Sequence, residues 1–209
     1  MISVALITIL MNGIFSIFTL QSSWYQDLLK TSNFNDKFYS VVEFLADETE
    51  MVGSVIDGAG KNSSIDWSKS NKINSSYDNI TIKRVKVDHN PCNTTNTVYS
   101  LEFRVVDSVL YCNSTELLGG VSFFKVMIGL DSNNDRQTDR FVDIESARTY
   151  VALGEVVTSI RYSIIAGIED TLFPNEKKIQ WPYSINEFET IEDTYSQNIS
   201  FEVALPNIN

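Results

Sequence analysis

The chain has 209 residues, with sixteen basic and twenty-seven acidic side chains and a net charge of −11. A surface this acidic repels phosphate backbones and anionic headgroups, so nucleic acids and anionic membranes are disfavoured as partners. One histidine and two widely spaced cysteines leave little for zinc, and the residues left beyond an N-terminal helix suit a single head domain.

Residues 1–20 form an apolar run with no charged side chain. At about 1.5 Å per helical residue the run reaches roughly 30 Å, the thickness of a bilayer hydrocarbon core, which predicts a membrane-spanning helix. Its polar members, Ser3, Thr8, Asn12, Ser16 and Thr19, are uncharged. Serine and threonine return hydrogen bonds to the helix backbone, whereas Asn12 wants a partner, which points to helix neighbours. A secretory signal peptide would carry a basic segment before the apolar core and a small-residue cleavage motif after it. Here the run starts at Met1 and continues into Gln21-Ser-Ser-Trp-Tyr-Gln26.

Over residues 21–53 the pattern becomes periodic. Leu28, Phe34, Phe38, Val41, Val42, Leu45 and Val52 recur largely at spacings of three and four, while Asp27, Lys30, Asp36, Lys37, Glu43, Asp47, Glu48 and Glu50 take the other face. This predicts an amphipathic helix half-buried on a domain, stopped by Gly53, Gly58 and Gly60. The expected division is therefore a helix over 1–53, with 1–20 as membrane span or filament core, and a β-rich head over 54–209.

Residues 54–78 are rich in Ser, Asn, Asp, Gly and Lys and read as a surface loop anchored by Ile65 and Trp67. Strands are predicted at 79–87, 97–106, 109–112, 121–130, 156–166 and 199–205 from β-branched and aromatic enrichment with alternation. Between the last two, residues 171–194, with Pro174, Trp181 and Pro182, read as an irregular excursion. Strands following one long helix imply an α+β fold, an antiparallel sheet laid on the helix. The basic cluster Lys83, Arg84, Lys86 and nearby His89 sits in an alternating stretch and reads as the solvated face of a strand.

Cys92 and Cys112 flank a strand-like segment. An anchored head lies in an oxidising compartment, so a disulfide closing a loop of about twenty residues is expected, stabilising by about 3 kcal/mol. Asn-X-Ser/Thr triplets at Asn62, Asn74, Asn79, Asn93, Asn113 and Asn198 matter only in a host that glycosylates them. Asp131, Asn133, Asp135 and Asp139 fall at positions one, three, five and nine of a calcium-type loop, and hard oxygen ligands at that alternation can wrap Ca²⁺. The pattern is incomplete: Arg136 stands where glycine permits the sharp turn, Val142 stands where a bidentate glutamate belongs, and Asp143 comes one step late. An Asn/Asp hairpin turn is the competing reading. His89 has no Ser or Cys in a nucleophile motif beside it, and no Gly-rich phosphate loop follows a strand, so no enzyme and no small-molecule substrate are expected.

Five segments then stand together: Met1-Ile-Ser-Val-Ala-Leu-Ile-Thr-Ile-Leu10; Phe38-Tyr-Ser-Val-Val-Glu-Phe-Leu-Ala-Asp47 with Met51-Val-Gly53; Leu117-Leu-Gly-Gly-Val121 running to Gly129-Leu-Asp-Ser-Asn-Asn-Asp135; Val156-Val-Thr-Ser-Ile-Arg-Tyr162; and Phe201-Glu-Val-Ala-Leu-Pro-Asn207. Across nearly the whole chain they resemble the minor pilins of type IV pili, of the PilW kind. The family's processing glycine and following glutamate have no counterpart in these residues, so the resemblance places the family's mature N-terminus a few residues ahead of Met1. It implies a subunit that waits in the inner membrane with its head in the periplasm, then joins major and minor pilins in a pilus at the cell surface. Val4, Leu6, Ile7, Leu10, Ile14 and Phe18 are the implied helix contacts. Two other readings share the plan: a membrane-anchored extracytoplasmic binding or adhesin module, and a type II secretion pseudopilin.

Overall fold

The structure, a computed structural model, describes residues 2–53, 65–85, 92, 98–169, 178–179, 188–189 and 194–205. In the first helix, side chains are described at Ile7 and from Leu10 onward. Helix α1, Ile2–Glu50, runs unbroken for 49 residues and ends in the 3₁₀ turn Met51–Gly53. No proline interrupts it, and its buried positions Phe34, Phe38, Val41, Leu45, Glu48, Thr49 and Val52 keep the three-and-four spacing of one helical face.

The chain divides into two compact units, Met1–Lys37 with Ile168–Tyr195, and Phe38–Gly167 with Ser196–Asn209. The division expected from sequence fell at residue 53. In the first unit, Phe34 meets Tyr195 edge to face at 6.2 Å, and the Asn35 carboxamide exchanges hydrogen bonds of 3.1 and 3.2 Å with the Tyr195 hydroxyl. Two short strands, β9 (Lys178–Ile179) and β10 (Phe188–Glu189), pair antiparallel there. The rest of the predicted excursion at 171–194 lies outside the described residues, apart from Thr194.

The second unit holds the main sheets. Strands β1 (Asn71–Lys72), β2 (Asp78–Val85), β3 (Val98–Val106), β4 (Val109–Cys112) and β5 (Thr115–Gly119) form one antiparallel meander in chain order. Strands β6 (Val121–Asp131), β7 (Arg140–Asp143), β8 (Val156–Glu169) and β11 (Thr194–Ala204) form another, ordered β11-β8-β6-β7. Turn chemistry connects neighbours. The β3–β4 hairpin turns on Asp107 and Ser108, both left-handed at φ 49° and 60°, the geometry of a two-residue type I′ turn. At the β5–β6 junction Gly120 has φ 72°, and an added Cβ would lie 1.9 Å from the Gly167 carbonyl oxygen, so only glycine fits.

A hydrophobic layer built from Phe38, Leu45, Ile80, Ile82, Leu101, Phe103, Phe124, Ile128 and Tyr162 is closed to solvent. Each such side chain contributes about 1.5–3 kcal/mol by leaving water. Tyr162 stacks with Phe124 and Phe201 at 6.2 and 5.4 Å, and its hydroxyl bonds Thr49 Oγ1 at 2.8 Å, which satisfies both buried groups. Burial pushes its phenol pKa well up, with the Thr49 bond opposing, so the ring stays neutral.

Backbone contacts join the two sheets at two places among the described residues: the Val121 N–H donates to Ser108 O at 2.8 Å, and a bridge forms beside Asp78. Tyr77 and Phe124 form a single parallel bridge, with Phe124 N–H donating to Ser76 O at 2.9 Å. Where the strands part, the Asp78 side chain replaces the next backbone acceptor: Oδ2 takes the Val126 N–H at 3.0 Å, while Oδ1 takes Lys125 Nζ at 2.8 Å. Lys125 also donates to Asn74 O at 2.8 Å.

Helix α2 (Ile144–Ala152) lies between β7 and β8 and was not expected from the sequence. Its apolar residues Ile144, Ala147 and Val151 are buried, too few in nine residues for periodicity to stand out. Its N-cap is Asp143, whose Oδ1 accepts the Ser146 N–H at 2.8 Å, a standard capping contact. The sequence count had set this carboxylate one step beyond a calcium ligand position; it caps a helix instead. Arg148 of α2 donates to the carbonyls of Trp67 and Ser70, which ties down the expected loop. Ile65 is buried there and bridges Ile82.

Candidate assembly surface

Helix α1 presents bare apolar side chains over much of its first thirty residues. Ile7, Leu10, Met11, Ile14, Phe15, Ile17, Phe18, Leu20, Trp24, Tyr25, Leu28 and Leu29 are all exposed, between 44% and 69%. Together they leave on the order of 1,000 Å² of apolar surface in water, where a soluble monomer's largest patch covers a few hundred. Of the helix contacts implied by the resemblance, Ile7, Leu10, Ile14 and Phe18 lie in this surface; the side chains of Val4 and Leu6 lie outside the described residues. Among the described residues no helix is long and apolar enough to cross a membrane. The described apolar segment, counted from Leu10 to Leu20, is shorter than the twenty residues on which the expected span rests.

The described hydroxyls here bond their own helix, while the side chains of Ser3 and Thr8 lie outside the described residues. Ser16 Oγ donates to Asn12 O at 2.8 Å, Thr19 Oγ1 to Ser16 O at 2.9 Å, and Ser23 Oγ to Leu20 O at 3.0 Å. These are the back-bonds by which hydroxyls satisfy themselves on a helix.

In the second unit the acidic turn joins β6 to β7. Asp131 Oδ1 accepts the N–H groups of Asn133 and Asn134 at 3.0 and 2.6 Å, and Oδ2 accepts that of Arg136 at 2.8 Å. Burial pushes the Asp131 pKa up, but the donors of Arg136, Asn134, Asn133 and Asp135 outweigh it and hold the carboxyl below its usual range. Asp139 Oδ2 accepts the Ser132 N–H at 2.7 Å, and Asp135 Oδ1 accepts the Gln137 N–H at 2.8 Å. Asn133 sits in the middle, its carbonyl bonded to the Asp135 N–H at 2.9 Å and its NH₂ facing Asp135 Oδ2 and Asp139 Oδ1 at 3.3 and 3.4 Å. Asn134 and Arg136 take left-handed φ of 64° and 70°, so the loop makes the sharp turn without glycine. The four sequence-selected side chains are thus brought together, with their oxygens turned to the loop's own N–H groups. Among the described residues no group of three or more His, Cys, Asp or Glu could hold a metal ion. The donor set as arranged suits a self-satisfied turn better than a cation.

Cys92 and Cys112 are joined in a buried disulfide, with Cα atoms 5.7 Å apart, inside the usual range for such a bridge. The Asn113 carboxamide holds the adjacent turn: Oδ1 accepts the Glu102 N–H at 2.9 Å, and Nδ2 reaches Cys92 O at 3.5 Å. Of the basic cluster, Lys83 forms an ion pair with Asp66 at 3.3 Å; the side chains of Arg84, Lys86 and His89 lie outside the described residues. The Ser68 hydroxyl, ahead of Lys83, holds the Asp66 carboxyl below its usual range against the opposing effect of burial. Asp66 and Asp78 escaped the sequence reading because each is a lone acid, one in a polar loop and the other at a strand start, with no spacing that marks a partner.

No protein-family model matches the chain, and no curated protein matches it. Among solved structures, the chain is similar to a type IV-like pilin from Thermus thermophilus, with a TM-score of 0.51 and 14% sequence identity over 83% of this chain and 97% of that one. A likeness at this identity concerns the fold: a long N-terminal helix with antiparallel β-sheets, as the α+β reading expected.

Proposed function

We propose that this chain is a minor pilin of the PilW kind, which associates through α1 with the helices of major and minor pilins and contributes to starting or building a type IV pilus. The observation that supports this reading most is the exposed apolar surface from Leu10 to Leu29, carried on the first helix of a pilin-like fold. Such a surface is costly in water and is stabilised by either of two environments, the inner membrane before assembly and a bundle of like helices after it. The head then faces the periplasm first and the pilus exterior later, and the Cys92–Cys112 bridge suits both. The chain acts by association.

Ile14→Asp or Leu10→Asp tests the reading. A carboxylate in an apolar helix bundle costs several kcal/mol, so incorporation into filaments should fall at least tenfold, while the head keeps its melting temperature. Filaments that carry either variant at wild-type level refute the proposal. Release of a fully active, ligand-binding head by the same substitutions would identify an anchored binding module instead.

A further inference from the structure

Of the Asn-X-Ser/Thr triplets in the chain, those at Asn62 and Asn93 lie outside the described residues, and the structure separates the other four. Attachment of a sugar uses two groups of a triplet, the asparagine Nδ2 that becomes bonded to the glycan and the hydroxyl two residues on. Both must be within reach and not already engaged. At Asn79, Nδ2 donates to Glu102 Oε1 at 2.9 Å, and the hydroxyl belongs to Thr81, which is fully buried. At Asn113, Oδ1 accepts the Glu102 N–H at 2.9 Å and Nδ2 reaches Cys92 O at 3.5 Å, beside the disulfide. Asn198 is exposed on β11, but the hydroxyl of its triplet, Ser200, bonds the buried Ser163 Oγ at 3.2 Å. Asn74 differs. It lies exposed with Ile73 and Ser75 in the turn between β1 and β2. Its Oδ1 accepts the N–H groups of Ser76 and Tyr77 at 2.8 and 2.7 Å, an Asx turn. Its backbone N–H donates to Tyr77 O at 3.1 Å, and its backbone carbonyl accepts Lys125 Nζ at 2.8 Å. The turn is thus held in place, while Asn74 Nδ2 and the Ser76 hydroxyl bond nothing among the described residues.

We propose that Asn74 Nδ2 is the acceptor of an N-linked glycan, transferred by a membrane-bound glycosyltransferase from an oligosaccharide carried on a lipid phosphate. In that transfer the bond from Nδ2 to the sugar's anomeric carbon forms as the bond from that carbon to the phosphate oxygen breaks. The lipid phosphate leaves with the electron pair, and one amide proton passes to a base of the transferase. The turn uses Oδ1 and leaves Nδ2 with both of its N–H groups, so the glycan displaces no hydrogen bond at Asn74. At Asn79 it would displace the contact with Glu102. The proposal rests on the head lying outside the cytoplasm, as the pilin reading has it. It adds a bulky, hydrophilic cover over a turn in which Ile73 is 49% exposed.

The test uses the full-length chain purified from its native cells, treated with an amidase that releases N-glycans and converts the asparagine that bore them to aspartate. Peptide fragmentation by mass spectrometry then places the conversion, which should fall at position 74 and not at 79, 113 or 198. Ser76→Ala keeps the backbone N–H on which the turn depends, so it should keep the wild-type melting temperature and lose the glycan at position 74. An Asn74 without sugar, a glycan on Asn79, Asn113 or Asn198, or a Ser76→Ala chain glycosylated as fully as wild type overturns the proposal. Filament incorporation of Ile14→Asp, measured in the same cells, reads the pilin assignment separately, because that side chain lies on α1 and outside every triplet.

Discussion

Removing the Asp78 carboxylate should loosen the junction of the two main sheets beside the Tyr77–Phe124 bridge. In Asp78→Ala the Val126 N–H, closed to solvent, loses its acceptor, which costs about 1–3 kcal/mol. Lys125 loses its counter-ion but keeps the Asn74 carbonyl, and its side chain is 18% exposed. Its share is therefore nearer 1 kcal/mol than the 3–5 typical of a fully buried pair. The expected total is about 3 kcal/mol. Asp78→Asn keeps an oxygen for Val126 while turning an NH₂ group toward Lys125, and should cost about half as much. The two variants thus separate the backbone contact from the ion pair. Urea unfolding followed by tryptophan fluorescence measures both. Burial raises the Asp78 pKa above its ordinary 3.8, against the opposing pull of Lys125 and the Val126 N–H. The native state then holds this proton more tightly than the unfolded chain, so in the window above pH 3.8 the Asp78 contribution to stability falls as pH rises. Asp78→Asn should lack that segment of the pH profile. If Asp78→Ala lies within about 0.5 kcal/mol of wild type, or if the two variants are equally destabilised, the carboxylate does not act as the missing strand acceptor, and the reasoning fails.

Other outcomes follow from single contacts. Gly120→Ala should cost more than 2 kcal/mol in the same unfolding assay, because the residue combines a positive φ with a backbone oxygen where Cβ would sit. Replacing Cys92 and Cys112 by serine opens a loop with a sequence separation of 20 and should lower stability by about 3 kcal/mol; a midpoint unchanged between oxidised and reduced wild type would contradict this. Thr81 Oγ1 is buried with no hydrogen-bond partner among the described residues, so Thr81→Val should raise stability by about 1 kcal/mol, and a loss would mean that the hydroxyl has a role in the native packing. At the acidic turn, millimolar calcium should leave the melting temperature within about 1 °C of that in chelator, whereas a true ligand of the native state raises it with concentration.

The reach of the sequence is clearest along α1. Its apolar run, its amphipathic second half and its end near Val52 were legible because a helix writes its environment into a 3.6-residue period over many turns. The long strands β2, β3, β6 and β8 were legible for a similar reason, each burying enough alternating or β-branched residues to be seen locally, and two cysteines in the whole chain leave one pairing. Short elements escaped. β5, β7 and α2 bury only a few side chains each, and in α2 the informative residue, Asp143, had been counted with the acids of the preceding turn. The acidic stretch reads from sequence as a turn first and as cation ligands second, since Asp-X-Asn-X-Asp spacing describes oxygens without saying what faces them; in the structure the Asp131 oxygens accept the loop's own N–H groups.

Sequence alone therefore determined the class of the fold and the apolar helix on which the proposed function depends, since both arise from patterns repeated along neighbouring residues. The tertiary structure decided what pairs with what: Asp78 with Val126 and Lys125 across 47–48 positions, Tyr162 with Thr49 across 113. Each is a single contact between residues far apart in the chain, and a lone contact leaves no period for a sequence to display.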